Sequence, residues 1–148
     1  MPKKNIAAVA IVMGIIATAA VVNRKPEPAP PAPAVQTSSV TAQQARDALA
    51  ALPELKAWSA RIEKDSGGKA HGALMQYETK PASINGRNYW QISYVENGAD
   101  ATHRWEDFLV SVDGGEILVM EFATEKPMSL AQWRAERHPM DRTSNQPL

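Results

Sequence analysis

The sequence predicts an α+β domain, in which an N-terminal helix packs on a four-stranded antiparallel meander and a short helix follows at the C-terminal end. Three observations support this prediction. Apolar residues recur at spacings of three and four between residues 45 and 62, the apolar period changes to two after Gly68, and the later apolar runs are joined by short polar connections. Short connections favour antiparallel neighbours, because a parallel pair needs a long crossover.

An uncharged apolar run precedes this domain, beginning at Ile6 and ending at Val22. A helix of that length spans roughly 25 Å, at the short end of what crosses a bilayer. Two interpretations of residues 1–25 remain open. The length of the run and the two basic residues that close it favour a transmembrane signal anchor, whereas an A-x-A pattern ending at Ala19 is typical of a cleaved signal peptide.

A proline-rich linker follows at residues 26–40, PEPAPPAPAVQTSSV. Proline fixes φ and removes a backbone donor, so the stretch favours an extended polyproline II spacer of roughly 45 Å over a packed element. A disordered linker of no defined length fits the same residues. Because a spacer suits a head that stands off from a membrane, we expect a single-pass protein of the bacterial inner membrane with its head in the periplasm. Cleavage near Ala19 would instead release the head into the periplasm.

The head, residues 41–138, has eleven Lys or Arg and fourteen Asp or Glu, a net charge of minus three. Its basic residues are scattered, so it lacks the electrostatic footprint of a nucleic-acid-binding protein. A domain of this size buries one modest core and has no spare volume for a large cofactor. The chain has no cysteine, which excludes a disulfide and a lipid-modified cysteine.

The helical part begins with a capping box, in which Thr41 is followed three residues later by Gln44. Pro53 would break the interior of one long helix but fits the first turn of a second, so we expect a kink or a restart at residues 52–54. Ser66-Gly67-Gly68 ends the helical part. The apolar positions of its buried face are Ala45, Ala48, Leu49, Leu52, Leu55, Trp58 and Ile62.

Four strands are predicted after the helical part, at residues 73–78, 89–95, 105–112 and 116–122. Asn85-Gly86, between the first two strands, suits a type I′ turn, although the preceding residues 80–83 indicate a longer and looser hairpin. The third and fourth strands are joined by residues 113–116, Asp-Gly-Gly-Glu. These residues are expected to be a turn and not a site, because glycine supplies the positive φ that a tight hairpin needs.

The C-terminal part is predicted to contain one short helix. Lys126-Pro127 is expected to stop the fourth strand. Ser129 then caps the helix LAQWRAER. Residues 139–148 are expected to form a flexible tail.

The fourth strand is apolar on both of its faces, as the sequence ILVM shows. Alternation places Trp105 and Leu109 on the face of the third strand opposite Phe108. One layer of helices covers one face of a sheet, so the face that carries Leu109 needs another cover. The C-terminal helix or a folded loop, a second copy of the chain or another protein, and ordinary exposure all remain open.

That face, with whichever residues of the fourth strand share it, is the candidate partner-binding surface. The register decides between the pair Ile117 and Val119 and the pair Leu118 and Met120. The two strand tryptophans are either core residues or interface anchors. The candidate residues are Leu109, Ile117, Leu118, Val119, Met120, Trp105 and Trp90.

The stretch FLVSVDGGEIL resembles the strand, turn and strand pattern of PepSY-type domains, in which an apolar strand ending in valine and aspartate turns through glycine into Glu-Ile or Glu-Val. The order of elements over residues 41–122 is also similar to that family and to the cystatin-like folds with which it is compared. The resemblance implies a non-enzymatic module of propeptides and envelope proteins that binds or restrains peptidases and other partners. The anchor, the linker and the last helix depart from a bare PepSY protein.

The sequence predicts no catalytic residue, no metal site and no cofactor. The histidines, at positions 71, 103 and 138, lie in separate regions without a second ligand nearby, and no nucleophile elbow or phosphate loop occurs. Glu106 and Asp107 are adjacent on a strand and point to opposite faces, so they cannot share one site.

These observations lead to one preferred function and two alternatives. The preferred function is a membrane-anchored envelope protein whose head binds a protein partner without catalysis, as an inhibitor, immunity or regulatory module. The first alternative is an assembly component of an inner-membrane complex such as a secretion system, and the second, disfavoured, is an enzyme. The identity of the partner and the oligomeric state, including a homo-oligomer, stay open.

Overall fold

Residues 39–145 are described by the computed structural model of the chain, and they form three helices and six strands of an antiparallel sheet. The α+β prediction is confirmed. The predicted anchor, and the linker except for its last two residues, lie outside the described residues. Within residues 39–145 no helix is long and apolar enough to span a bilayer. The elements in chain order are α1 (Ala42–Ala50), α2 (Pro53–Asp65), β1 (Ala70–Met75), β2 (Ala82–Ile84), β3 (Arg87–Gly98), β4 (Thr102–Ser111), β5 (Ile117–Glu121), β6 (Lys126–Ser129), α3 (Leu130–Arg137) and a 3-10 turn (Pro139–Asp141).

Local sequence chemistry sets the boundaries of the first two helices. The Gln44 N–H donates to the Thr41 hydroxyl at 3.2 Å and the Thr41 N–H donates to the Gln44 side chain at 2.9 Å, so the capping box is confirmed. The chain then restarts α2 with Pro53 near its beginning, where proline has no helical hydrogen bond to lose. Gly67 and Gly68, both at positive φ, follow the end of α2.

The sheet has the strand order β1-β3-β4-β5-β6, and β2 pairs with β3 beside β1. The prediction of four strands is wrong, because the sheet has two additional short strands, β2 and β6. β2 forms because Asn85 and Gly86 have φ of 51° and 79°, which is the positive φ that a two-residue type I′ turn needs, and Ala82 then pairs with Tyr89. The hairpin is therefore tight and not the loose one predicted.

β6 lies at the edge of the sheet, where the sequence predicted a stop. Pro127 pairs with Met120 of β5. Because an edge strand has one side without a neighbour, the missing proline N–H need not break the ladder, and the sheet continues through Lys126. The predicted cap of α3 is confirmed, since the Gln132 N–H donates to the Ser129 hydroxyl at 3.1 Å.

The three helices pack on one face of the sheet, hereafter the inner face. The Trp58 ring is central to the core and lies 5.3 Å from Trp105 and 5.7 Å from Trp133, measured between ring centroids. α3 is fastened to α2 by Arg134, which donates to both carboxylate oxygens of the buried Glu54, at 2.6 and 3.1 Å. Aromatic packing and this ion pair together hold α3 against α2.

Residues 138–145, hereafter the strap, pack against α2 and β4, so the prediction of a flexible tail is wrong for this part of the chain. Pro139 is buried, and its carbonyl accepts a hydrogen bond from the Trp58 indole at 2.7 Å. Arg142 is 3% exposed and pairs with Glu106 at 3.1 Å. The prediction fails because a polar sequence gives no sign that its arginine meets a buried carboxylate.

Candidate functional site

The face of the sheet opposite the helices, hereafter the outer face, is the candidate site. The register assigns residues to it. Leu109 pairs with Leu118, so these residues and Met120, two positions further along β5, share the outer face. Phe108 pairs with Val119, and both are buried in the core on the inner face. Of the two residue pairs that the sequence left open, Leu118 and Met120 therefore accompany Leu109.

The seven residues predicted for one partner-binding surface divide between the two faces. Leu109, Leu118 and Met120 lie on the outer face. The other four lie on the inner face, buried in the core or half-buried against it: Trp90, Trp105, Ile117 and Val119. The prediction of a single seven-residue surface is thus wrong, and its three outer residues remain as the candidate.

A β-bulge explains the position of Trp105. Tyr94 of β3 pairs with Glu106, and the next residue of β3 pairs with Arg104, which leaves Trp105 without a partner in the register. An extra residue in one strand shifts the alternation of side chains by one. Trp105 and Glu106 consequently both belong to the inner face, although simple alternation had placed Trp105 outside.

A groove of about 330 Å³ opens on the outer face. Its apolar lining includes Leu109, which is 2% exposed, and the half-buried Met120. Tyr77, from the connection between β1 and β2, lines the same groove and is 65% exposed. Neither α3 nor Trp133 covers this groove, because Trp133 packs against Phe108 on the inner face. Leu109 is thus already covered within the head, and the open apolar part of the groove is formed by Met120 and Tyr77.

Three charged side chains line the groove, and two of them, Arg104 and Asp107, are paired with each other, while the third is Glu78. The Arg104 guanidinium contacts the Asp107 carboxylate at 2.8 Å, and the Ser93 hydroxyl donates to the same carboxylate. Arg104 also lies over the ring of Phe122, 5.5 Å from its centroid. Phe122 is 40% exposed, and it and Tyr77 are two of the three large hydrophobic side chains that are exposed within residues 39–145.

The glycine-rich connection of β4 and β5 is a turn, as predicted. Gly114 has φ of 74°, and the Asp113 carboxylate accepts a hydrogen bond from the backbone N–H two residues on. Arg87 pairs with Asp113 at 3.2 Å and with Glu116 at 2.5 Å. Hydrogen bonds from Tyr89 and Arg87 hold the pKa of Glu116 below its ordinary value. The two acids therefore stay ionised at neutral pH and serve to fix the turn.

The last residue of the predicted linker is attached beside this turn. The Val40 N–H donates to the Val112 carbonyl at 2.7 Å, and the Trp90 indole donates to the Val40 carbonyl at 2.8 Å. Trp90 is half-buried and holds the incoming chain against the sheet. Its indole N–H is thus already used within the head.

A second polar site lies inside the head and was missed by the sequence analysis. The Arg142 guanidinium lies 5.3 Å from the Trp58 ring centroid, 5.2 Å from that of Trp105, and 3.1 Å from Glu106. Burial raises the pKa of Glu106 to about 7, although the charge of Arg142 acts in the opposite direction. The prediction that Glu106 and Asp107 serve different faces is confirmed. The sequence signal for the buried carboxylate was the pair of consecutive acids, Glu106 and Asp107, because one of two neighbouring residues in a strand must point to its buried face.

Within residues 39–145 no group of three His, Asp or Glu side chains is placed to hold a metal ion. His71 lies at the surface, with its Nδ1 3.2 Å from Glu63. Comparison with protein-family models, with curated proteins and with solved structures finds no match. The resemblance to PepSY-type domains therefore stays a hypothesis.

Proposed function

We propose that this chain is a non-catalytic, membrane-anchored protein of the bacterial envelope, whose head binds a protein partner through the outer face of its sheet. The apolar surface on that face is the observation that supports the proposal most. Tyr77, which is 65% exposed, and the half-buried Met120 line the groove, and the half-buried Leu118 lies on the same face of the sheet, while the helices occupy the other face. Contiguous apolar surface on a soluble domain is typical of an interaction site.

The lining of the groove indicates the chemistry of the partner. Arg104 and Asp107 neutralise each other and Glu78 also lines the groove, so the groove offers no net positive charge for an anionic ligand. Methionine and aromatic side chains adapt well to an incoming apolar group. We infer that the partner inserts an apolar or aromatic side chain against Met120, with Tyr77 packing on its flank. This mode of binding fits an inhibitor, immunity or regulatory module.

Site-specific photo-crosslinking in the full-length chain tests the proposal. A photoreactive residue at Tyr77 or Met120 is expected to give a discrete adduct with one partner protein. The matched control is Lys64, which is exposed on α2, away from the outer face. Leu118→Asp is expected to weaken the recovered complex by roughly tenfold or more, because a carboxylate replaces an apolar contact, whereas Lys64→Glu leaves it unchanged.

Circular dichroism and a thermal melt must show that Leu118→Asp remains folded. A folded Leu118→Asp chain that keeps its partner, or adducts that form from Lys64 and not from Met120, would contradict the proposal. A complex that needs residues 1–25 and tolerates every outer-face substitution would support the alternative, an assembly component that acts through its anchor.

A further inference from the structure

The bulge in β4 builds a site on the inner face that is separate from the outer face. It places the consecutive side chains of Trp105 and Glu106 on the same side of the strand. Trp58 of α2 lies opposite, with its ring centroid 5.3 Å from that of Trp105 and the two planes tilted by 48°. Two indole rings and one carboxylate thus surround a common space, hereafter the cage.

Arg142 of the strap fills the cage. Its guanidinium carbon lies 5.3 and 5.2 Å from the centroids of the two indole rings, and its Nη1 contacts Glu106 at 3.1 Å. A guanidinium is planar and weakly hydrated, so it packs on aromatic faces while it binds a carboxylate. An ammonium group is more strongly hydrated and lacks the flat surface, so the cage favours arginine over lysine.

The strap fits this site incompletely. Nη2 of Arg142 is buried and has no hydrogen-bond partner within the described part of the chain. A cavity of about 260 Å³ shares Trp105 with the cage and is lined also by Arg61 and by Thr143 of the strap. The strap also joins no strand of the sheet, and it begins at His138, a non-glycine residue at φ of 44°. The Arg142 Nε already donates to the Ser144 carbonyl at 2.9 Å, so Nη2 is the guanidinium nitrogen for which a different backbone would supply an acceptor that the strap does not.

Holding the strap in place does not by itself explain why Arg142 and Glu106 form a charged pair. Replacing a buried ion pair by apolar residues of similar volume is often neutral or stabilising, so packing alone gives no reason for a charged arginine at this position. We propose that Trp58, Trp105 and Glu106 form a guanidinium-binding site, which the strap occupies with Arg142 and which an arginine side chain of another polypeptide takes when the strap leaves.

The test uses the full-length Arg142→Ala chain, whose cage is vacated, and N-acetyl-arginine amide as the probe, at a pH well above the pKa of about 7 of Glu106 so that its carboxylate is ionised. Saturable shifts of the Trp58 and Trp105 indole signals in NMR spectra are expected. N-acetyl-citrulline amide, which has the same shape without the charge, is expected to bind roughly tenfold more weakly or not at all. The unmodified chain is expected to need at least roughly tenfold more probe, because Arg142 competes intramolecularly.

Two further variants complete the test. Adding Glu106→Gln to Arg142→Ala is expected to abolish the preference for arginine over citrulline. Arg46→Ala, which removes an arginine of α1 that belongs neither to the cage nor to the groove, is the matched control and is expected to behave as the unmodified chain. Equal responses to the two probes, a preference that survives Glu106→Gln, or no saturable response in Arg142→Ala would each overturn the proposal.

Folding of Arg142→Ala is followed in the same titration. If this chain is unfolded in buffer, it is studied in sucrose, which favours the compact state. A ligand that binds the native state shifts the unfolding equilibrium towards it, so the arginine probe is expected to raise the melting temperature. A chain that stays unfolded in sucrose and with the probe also overturns the proposal.

Discussion

Raising the pH from 5 to 8 is expected to destabilise the head, and Glu106 is the residue responsible. Its side chain is buried in the core, and burial raises its pKa from the ordinary 4.5 to about 7 against the opposing charge of Arg142. Between these two values the folded state holds a proton that the unfolded state releases. The stabilisation is therefore complete below about pH 4.5 and is lost as the pH rises through about 7.

The difference between the two pKa values corresponds to roughly 3 kcal/mol in the free energy of unfolding. Urea denaturation at pH 5, 6, 7 and 8 measures it in the unmodified chain and in Glu106→Gln. Both chains carry the same histidines, so the difference between them at each pH isolates Glu106. The stability of the unmodified chain relative to Glu106→Gln is expected to fall by roughly 3 kcal/mol across this range.

A difference that stays constant from pH 5 to 8 would refute this reasoning, because the pKa of Glu106 in the folded state would then lie at or below its ordinary 4.5. That outcome would mean that Arg142 stabilises the carboxylate by at least as much as burial destabilises it. A carbon-13 NMR titration of the Glu106 carboxyl carbon would then locate its pKa.

Two further predictions concern stability. Gly72→Ala is expected to lower the free energy of unfolding, measured by urea denaturation, by about 1 to 3 kcal/mol, because the added Cβ would lie 1.9 Å from the Tyr94 hydroxyl oxygen and 2.6 Å from the Ser59 hydroxyl oxygen. Gly98→Ala, whose Cβ would lie 3.4 Å from its nearest atom, is the milder control. Equal losses at the two positions would contradict the argument. Thr41→Ala removes the side-chain cap of α1 and is expected to cost about 1 kcal/mol in the same assay, and an unchanged unfolding midpoint would show that the capping box contributes nothing.

Features set by neighbouring residues were predictable from the sequence. The capping box at Thr41, the restart at Pro53, the cap at Ser129 and the turn at Gly114 each depend on residues within a few positions, and each was predicted at the correct place. The change of apolar period likewise predicted the order of helices and strands. Short-range chemistry was sufficient for these features because the interacting groups are adjacent in the chain.

Features set by pairing across the sheet were not predictable in the same way. The face of Trp105 depends on a bulge that exists only in the register of β3 with β4. Pro127 reads as a stop unless its strand is known to lie at an edge. Arg142 reads as part of a polar tail until Glu106, far away in the sequence, is known to be buried. The candidate partner-binding surface was reduced from seven residues to three for the same reason, because the strand register, and not the composition, decides that Leu118 and Met120 lie on the outer face.

The attachment of Val40 has a mechanical consequence for the head. Any tension that arrives through residue 39 acts first on the two hydrogen bonds of Val40, to the Val112 carbonyl and from the Trp90 indole. The next structure in the line of force is α1, followed by α2, and the chain does not enter the sheet before Ala70. Pulling is therefore expected to detach Val40 first and then to unwind the helices, while the outer face of the sheet bears load last and keeps its shape.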